Sequence, residues 1–211
     1  MSIGLDFSNY DGMRSIESVC GLRGGGYKVE ILDVVDEKGN PTGKTVEREK
    51  AHEEGIMHRT SHVWLLRKRC GRTQILLQKR CETKESFPGC YDISSAGHIP
   101  AGMDFAQSAI RELKEELGVS ASEDELIFCG DRIVIWDDCF YGRPFHDRQY
   151  SRVFALRHDI EEEKLTLQKE EVDSVLWMDL DKCIELVETD QINHCIYPEE
   201  LRMVKDSCDG N

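Results

Sequence analysis

The sequence lacks any apolar run close to the roughly 18 residues that a membrane-spanning helix requires. Its first residues, MSIGLDFSNYDGM, contain neither the basic segment nor the apolar segment of a secretory signal. Internal repeats and low-complexity tracts are also absent. We therefore expect a globular protein of the cytoplasm without a membrane partner.

Positive charge is scarce in this sequence. The 211 residues include 27 Lys and Arg against 41 Asp and Glu, which gives a formal net charge of -14. Such an acidic surface repels the phosphates of nucleic acids, so a nucleic-acid partner is not expected. Phosphorylated small molecules are repelled as well, unless a divalent cation or a local basic pocket binds them. The charge weakly favours a metal-assisted site, although solubility alone also explains it.

Cysteine pairs at CxxC spacing, which would indicate a zinc site, are absent among the nine cysteines. Their number is odd, and several lie within apolar runs. We therefore expect reduced and mostly buried thiols, as in a reducing compartment. Cys90 is a weak candidate for catalysis, because structural cysteines are usually inert.

The chain divides into two parts. Residues 1–27 show no periodicity and end in three consecutive glycines, which predicts an N-terminal arm or lead-in. Residues 28–211 alternate strand and helix patterns, which predicts one α/β domain with a mixed β-sheet. Strand pairs are predicted around a turn at 38–41 and around a turn at 70–72. The remaining predictions are strands within 125–136, 151–160 and 174–180 and helices over 179–191 and 198–207.

The clearest helix in the sequence runs from Asp104 to Leu117. Asp104 is a good N-cap residue, and Gly118 is a typical stop signal. The helix has one apolar stripe, formed by Ala106, Ala109, Ile110, Leu113 and Leu117.

Three carboxylates crowd the other side of this helix. Glu112 and Glu116 project about 40° apart, and Glu115 lies about 60° to the other side of Glu112. Like charges at these spacings destabilise a helix, whereas a hard cation such as Mg²⁺ or Mn²⁺ would turn them into ligands. A solvated acidic face is the alternative. The preceding Gly97 favours the metal site, because glycine allows the backbone to approach an ion or a phosphate closely.

At this point the sequence resembles a known family. The Nudix box reads G, five residues, E, seven residues, REUxEExGU, where U is aliphatic. The residues that match this pattern are Gly97, Arg111, Glu112, Leu113, Glu115, Glu116, Gly118 and Val119. The flanking stretches FPGCYDISSAGH and EEVDSVLWMDL extend the resemblance over most of the chain from 28 to 190.

The resemblance implies a Nudix α/β/α sandwich that hydrolyses a small-molecule diphosphate with Mg²⁺ or Mn²⁺. Metal ligands would be Glu112, Glu115, Glu116 and the carbonyl of Gly97. Arg111 would orient the glutamates. Glu112 is the first choice for the general base that activates water, and Glu116 is the second. The resemblance leaves open whether the protein forms a homodimer.

One position departs from the pattern, because Met103 stands where the box has its first Glu. In the family that Glu is chiefly associated with pairing to the arginine, so we expect metal binding to persist. Asp104 is a candidate substitute, and a Nudix-shaped module that binds a ligand without cleaving it is an alternative function.

A second resemblance, carried by HRTSHVWLL and FPGCYDISSAGH, is to the isopentenyl-diphosphate isomerases, which share the Nudix fold. It implies a second metal site at His52, His58 and His98, with His62 as a further candidate. Neutral histidines on loops are the competing interpretation. Those isomerases use a catalytic cysteine directly before the Gly-His step, where this chain has Ala96.

Two other features of the isomerases and of substrate binding are less clear in the sequence. The paired glutamates of the isomerases are not evident, and the nearest polar residues are Asp147 and Gln149. Candidates for substrate phosphate contacts are Lys79, Arg80, Arg148 and Arg152. Aromatic residues that flank a predicted loop and could stack on the substrate are Trp136, Phe140, Tyr141 and Tyr150.

Overall fold

The computed structural model describes residues 29–84, 86–140 and 142–209, so the predicted arm at 1–27 lies outside the described residues. The described chain forms nine strands and four α-helices. In chain order they are β1 Ile31–Val35, β2 Pro41–Glu47, α1 Arg48–Glu54, β3 His58–Arg69, β4 Arg72–Arg80, β5 Tyr91–Asp92, β6 Ser95–His98, α2 Phe105–Leu117, β7 Leu126–Phe140, β8 Arg143–Arg157, β9 Val172–Asp179, α3 Leu180–Glu188 and α4 Pro198–Asp209.

Strands β1 and β2 form a separate antiparallel pair. Their turn is stabilised by Asp36, whose Oδ1 accepts hydrogen bonds from the backbone N–H groups of Lys38 and Asn40, each at 2.9 Å. Gly39 has a φ of +76°, which suits glycine in a tight turn. The predicted turn at 38–41 is therefore confirmed.

The main sheet contains the other seven strands and is mixed, as predicted. Its central order is β5-β4-β3-β8-β7, with β6 added to β3 and β9 added to β4. Strands β3 and β8 are parallel, whereas β6 pairs antiparallel with the first half of β3. This arrangement brings the short β6 strand, which begins the box, to the centre of the domain.

Helices cover both faces of this sheet. Alternate residues of β3 point to opposite faces, so Trp64 packs with α3 and α4 while Leu65 packs with α2. Leu113 of α2 and Leu201 of α4 are both 0% exposed. Complete burial of such a leucine stabilises the fold by about 2 kcal/mol. The expected sandwich of helices around a mixed sheet is confirmed.

One helix was not predicted, and one predicted loop needs correction. The segment after β2 forms helix α1, which has only 7 residues. The loop predicted after Trp136 is absent, because β7 and β8 form a long hairpin paired as far as Phe140 and Arg143. Ladder hydrogen bonds hold this hairpin beyond the core, where alternation of apolar residues gives no signal. Tyr141 lies outside the described residues.

The described cysteines form no disulfides, as expected, but they are not mostly buried. Of the eight that the structure describes, only Cys90 and Cys183 are buried. Apolar neighbours in the sequence did not predict the burial of these cysteines, because successive residues of a strand alternate between core and solvent.

Among the described residues, every helix is too short or too polar to cross a membrane.

Candidate functional site

Helix α2 carries the acidic cluster and is fixed at both ends. The side chain of Asp104 accepts a hydrogen bond from the backbone N–H of Gln107 over 2.9 Å, and Gly118 ends the helix in the left-handed region with a φ of +71°. Leu113 and Leu117 are completely buried against the sheet. The predicted helix, cap and stop are all confirmed, so the orientation of the carboxylates is set by packing.

The carboxylate of Glu112 lies against the backbone of Gly97 on β6. A Cβ atom at position 97 would lie 2.4 Å from both Cδ and Cγ of Glu112, far inside van der Waals contact. Only glycine therefore permits this approach of helix and strand. The structure brings together these two residues of the predicted metal site, although they are separated by the loop and half of the helix.

Glu116 is more buried than a residue on a solvent-exposed acidic face would be. It is 6% exposed, and one of its oxygens accepts a hydrogen bond from the backbone N–H of Ala96 over 3.3 Å. Glu115, in contrast, has 53% of its side chain exposed. The three carboxylates thus differ: Glu116 is buried, Glu112 is half-buried, and Glu115 lies at the rim.

Burial perturbs two of these carboxylates. It raises the pKa of Glu116 to about 7, with a contribution from the nearby charge of Glu112. Burial also raises the pKa of Glu112 to about 7, against the opposing effect of Arg111 and with the help of Glu115. Two carboxylates in such an environment resist double ionisation. A divalent cation with a preference for oxygen ligands removes this obstacle, so these residues fit Mg²⁺ or Mn²⁺.

Arg111 contacts two glutamates of the cluster. One terminal nitrogen lies 2.5 Å from Oε1 of Glu112, and the other lies 3.4 Å from Oε2 of Glu115. The guanidinium therefore orients two of the glutamates at once. It does so without any carboxylate at position 103.

The loop before α2 is held by other residues. Arg59 donates a hydrogen bond to the carbonyl of Met103 over 3.0 Å and forms an ion pair with Asp33 at 2.8 Å. Asp33 also accepts a hydrogen bond from the backbone N–H of Gly102 over 2.9 Å. Because Asp104 caps the helix, it does not substitute for the missing Glu. The backbone at Met103 is positioned without its side chain.

Three histidines converge beside the acidic cluster. His52 comes from α1, His58 begins β3 and His98 ends β6, so none lies on a loop. One nitrogen from each ring lies within 4.8 Å of the others, and Nε2 of His52 lies 3.1 Å from Nε2 of His98. His58 uses Nδ1 to contact the carbonyl of Ile56 at 2.8 Å. Its Nε2 has no hydrogen-bond partner among the described residues.

The environment favours neutral imidazoles at all three positions. Burial lowers the pKa of His52 to about 3, with a contribution from His58, and it lowers the pKa of His58 as well. Burial also holds the pKa of His98 well below its usual value. Neutral imidazole is the form that binds a metal ion.

Asp147 of β8 extends this histidine cluster. Its Oδ1 lies 3.8 Å from Nδ1 of His52, and within the described chain neither atom has a hydrogen-bond partner. Burial raises the pKa of Asp147 to about 6. Sequence reasoning identified Asp147 only as a polar residue near the expected position. Its proximity to His52 could not be inferred because it depends on how α1 packs on β8.

A cavity joins the acidic and histidine clusters. Its lining includes Glu112, Glu116, His52, His98 and Asp147. The basic residues in the lining are Arg48, Arg80, Lys84 and Arg143. Arg80 was a predicted candidate, whereas Arg48 and Lys84 were missed, because sequence gives no signal for cations on α1 or in the loop after β4.

The other predicted phosphate contacts do not line this cavity. Lys79, Arg148 and Arg152 lie elsewhere and face carboxylates of the surface: Asp173 at 3.9 Å, Asp137 at 2.6 Å and Asp131 at 2.7 Å, respectively. Arg80 itself is held by Asp92 at 2.9 Å. Cys90 also lies outside the lining, and burial raises the pKa of its thiol.

Aromatic side chains form one wall of the cavity. Trp136, Phe140 and Phe145 have ring centroids 5.2 to 6.0 Å apart, and Phe87 lies 5.0 Å from Trp136. Trp136 and Phe140 were predicted as stacking candidates and do line the cavity, whereas Tyr150 does not. Phe145 was missed because its position follows from the hairpin of β7 and β8. Phe87 was missed because it lies in the loop between β4 and β5 and meets Trp136 only in the folded chain.

Comparison with known proteins agrees with this α/β architecture and its acidic helix. The NUDIX domain family model matches residues 57–199. A Nudix hydrolase of Clostridium acetobutylicum, named as uncharacterized, is 35% identical over 153 residues, which are 72% of this chain and 71% of that protein. Nudix hydrolase 3 of Arabidopsis thaliana is 41% identical over 152 residues, which are 71% of this chain but 19% of the longer plant protein.

A solved structure shares the fold. The crystal structure of DR0079 from Deinococcus radiodurans matches with a TM-score of 0.60 at 19% identity, covering 82% of this chain and 98% of that one. Fold and site define an α/β enzyme of the pyrophosphohydrolase class. The chain belongs to the Nudix family. The relatives given above are named as Nudix hydrolases, so the isomerase-like branch stays a prediction.

Proposed function

We propose that this Nudix protein hydrolyses a nucleoside diphosphate or a related diphosphate linked to another group, with Mg²⁺ or Mn²⁺ as cofactor. Glu112, Glu115, Glu116 and the carbonyl of Gly97 would hold the metal. The observation that carries the proposal is the contact of Glu112 with Gly97 beside the buried Glu116. Surface carboxylates do not need such a fit, whereas a metal site does.

In this proposal the metal ion and the side chains of helix α2 have different roles. A divalent cation bound there would polarise the phosphoryl oxygens and make a water molecule more acidic. Arg111 holds Glu112 and Glu115 in position. Glu112 is the better general base, because 15% of its side chain is exposed to the cavity, whereas Glu116 is fixed by the backbone of Ala96.

The basic lining residues complement a diphosphate. Lys84 lies in the cavity wall and forms an ion pair with Glu171, another lining residue. Arg48 lies 3.5 Å from Glu30, with half of its side chain exposed. Side chains of this kind can exchange a carboxylate partner for phosphate, which offsets the repulsion from an otherwise acidic surface.

The histidine cluster is proposed as a second metal site. His52, His58 and His98 present neutral imidazoles, and Asp147 supplies a carboxylate oxygen close to them. Mixed imidazole and carboxylate ligands suit a first-row cation such as Mn²⁺ or Zn²⁺. Nδ1 of His52 and Nε2 of His58 are buried and have no hydrogen-bond partner among the described residues. This supports the proposal, because a buried imidazole nitrogen is normally hydrogen-bonded.

The histidine cluster also favours a second candidate function, isomerisation of isopentenyl diphosphate. Against it stands Ala96, which cannot transfer a proton where those isomerases use a cysteine. Cys90 does not take over this role, because its thiol lies 3.3 Å from Oδ1 of Asn193 and outside the cavity lining. Hydrolysis is therefore the function that the site supports better.

One assay panel tests these possibilities. Phosphate release from nucleoside and alkyl diphosphates is measured with and without Mg²⁺, and the isopentenyl diphosphate samples are also analysed for the dimethylallyl isomer. We expect metal-dependent phosphate release without isomerisation. Isomerisation alone would replace the proposal with the second candidate. Binding without turnover of any diphosphate would identify a ligand-binding module instead.

A further inference from the structure

A completely buried glutamate links the last helix to the central strand. Glu200 in the first turn of α4 is 0% exposed and accepts hydrogen bonds from three side chains. Its oxygens lie 3.0 and 3.1 Å from Nδ1 of His62, 2.8 Å from Nε1 of Trp64 and 3.0 Å from a terminal nitrogen of Arg132. A buried carboxylate without such partners would be strongly destabilising.

This network fixes the tautomer of His62. Burial alone would raise the pKa of Glu200, but His62, Arg132 and Trp64 outweigh that effect and hold its pKa below the usual value. The ionised Glu200 can only accept, so Nδ1 of His62 carries the hydrogen that it donates. In the imidazole tautomer that has its hydrogen on Nδ1, the lone pair lies on Nε2.

The Nε2 atom faces the cavity side of the network. His62, Thr60 and Gln149 all line the cavity, whereas Glu200 does not. The hydrogen-bond contact of Nε2 within the described residues is to Oγ1 of Thr60, at a long 3.4 Å. That hydroxyl has a closer partner in Ser151 at 2.7 Å. A well-oriented acceptor is thus presented to the cavity with only a weak donor from the protein.

The cavity that His62 lines also contains the acidic cluster, because Glu112 and Glu116 belong to the same lining. It pairs with Ala96 across β3 and β6, and the backbone N–H of Ala96 contacts Glu116. Directly paired residues project from the same face of a sheet. Because Ala96 has only a methyl group, it leaves space beside the imidazole. His62 and helix α2 lie on opposite faces of the sheet, and the cavity reaches both the acceptor and the proposed metal site.

We propose that His62, positioned by Glu200, recognises the group attached to the diphosphate. Its Nε2 would accept a hydrogen bond from a hydroxyl or N–H of that group. Thr60 and Gln149 add further polar atoms to this wall. Substrates with a polyhydroxylated or nucleoside group are therefore favoured over diphosphates of plain hydrocarbons. The inference rests on the proposed function in one respect, that the cavity binds a diphosphate.

The chain permits a matched pair of variants. In His62→Asn the side-chain nitrogen is as many bonds from Cα as Nδ1, so it still donates to Glu200, but the acceptor at Nε2 is lost. In His62→Gln the amide is as many bonds from Cα as Nε2, so the acceptor is restored. Glu200→Gln tests the positioning role. Thermal unfolding monitored by circular dichroism verifies that each variant is folded.

Binding is measured by calorimetry in Mg²⁺ with two probes that are not hydrolysed. Adenosine 5′-(α,β-methylene)diphosphate carries hydroxyl and N–H donors, whereas methylenediphosphonate carries no organic group. We expect His62→Asn to weaken the adenosine probe about tenfold, the value of one good hydrogen bond, and methylenediphosphonate less than twofold. His62→Gln should recover part of the loss, because its oxygen accepts from the probe but its side chain no longer donates to Glu200 from the position of Nδ1. Glu200→Gln should shift the ratio in the same direction as His62→Asn.

Equal weakening of both probes would show a purely structural network and overturn the inference, as would no weakening at all. Wild-type protein that binds the two probes equally well would also overturn it, because nothing beyond the diphosphate is then contacted. Because binding needs no turnover, a failure to hydrolyse any diphosphate would refute the proposed function separately. Binding of neither probe would refute both.

Discussion

The backbone N–H of Ala96 donates a hydrogen bond to Glu116, which ties the last turn of α2 to β6 one residue before Gly97. Together with the contact of Gly97 and Glu112, this bond fixes strand and helix at two successive points. A metal site needs its ligands held within about 0.5 Å of the productive geometry, and two such attachments on rigid elements provide that. The following predictions test this arrangement and its neighbours.

Glu116→Gln should abolish Mg²⁺-dependent hydrolysis of diphosphates, a loss of at least about 100-fold in kcat, because a ligand is replaced by a weaker neutral one. Phosphate release with saturating Mg²⁺ measures the effect. Glu185→Gln on the exposed face of α3 makes the same chemical change away from the site and should leave activity unchanged. Full activity in Glu116→Gln would refute the metal assignment.

Gly97→Ala should reduce activity about 100-fold, because its Cβ would displace the carboxylate of Glu112 by roughly 1 Å. Gly102→Ala is the matched control. Its φ of +80° makes alanine unfavourable by about 1 kcal/mol, but no atom lies within 4 Å of the added Cβ. The control should therefore unfold more easily and keep its activity, and the opposite order of activities would contradict the model of the site.

Met103→Glu should not lower hydrolysis. The structure holds Met103 through its carbonyl and Arg59, and Arg111 already has two carboxylate partners. An added Glu can at most join Arg111, so the expected change in kcat/KM is less than about threefold, within the effect of one exposed ion pair. Steady-state kinetics on the two proteins give the answer. A large gain would show that Met103 limits the natural enzyme.

His58→Ala should remove one equivalent of bound Mn²⁺ or Zn²⁺ and leave the acidic site occupied. The physical reason is that three neutral imidazoles provide most of the ligands of the proposed second site. Metal content after dialysis, determined by atomic emission, is the measurement. Glu116→Gln should remove a different equivalent, so the double variant should lose both. The same metal content in wild type and His58→Ala would rule out the histidine site.

Glu200→Gln should make stability less dependent on pH in acid. The pKa of Glu200 is lowered from 4.5 in the fold, so its stabilising effect is present above pH about 4.5 and is lost as the pH falls through the lower folded value. At pH 7 the variant should be less stable by about 3 kcal/mol, since Arg132 loses a buried partner. Urea unfolding between pH 7 and pH 3 should show this difference shrink, and a constant difference would contradict the argument.

Predictions from local patterns succeeded. The cap at Asp104 and the stop at Gly118 were correct, and three of the five residues of the predicted stripe are buried, namely Ala109, Leu113 and Leu117. Each of these features depends on residues within a few turns of one helix. The same holds for the turns at 38–41 and 70–72. The long hairpin of β7 and β8 was underestimated, because pairing between strands holds it where the apolar pattern fades. Helix α1 was missed since 7 residues carry too little periodicity.

The sequence by itself determined that Glu112, Glu115 and Glu116 share one region of one helix, because helical geometry fixes such spacing before any packing occurs. Only the tertiary structure decided which of them is buried and what faces them. His52 meets His98 across 46 residues of chain, and His62 meets Glu200 across 138. Contacts at such separations follow from how helices pack on the sheet, and burial by that packing then sets the protonation of the groups it encloses.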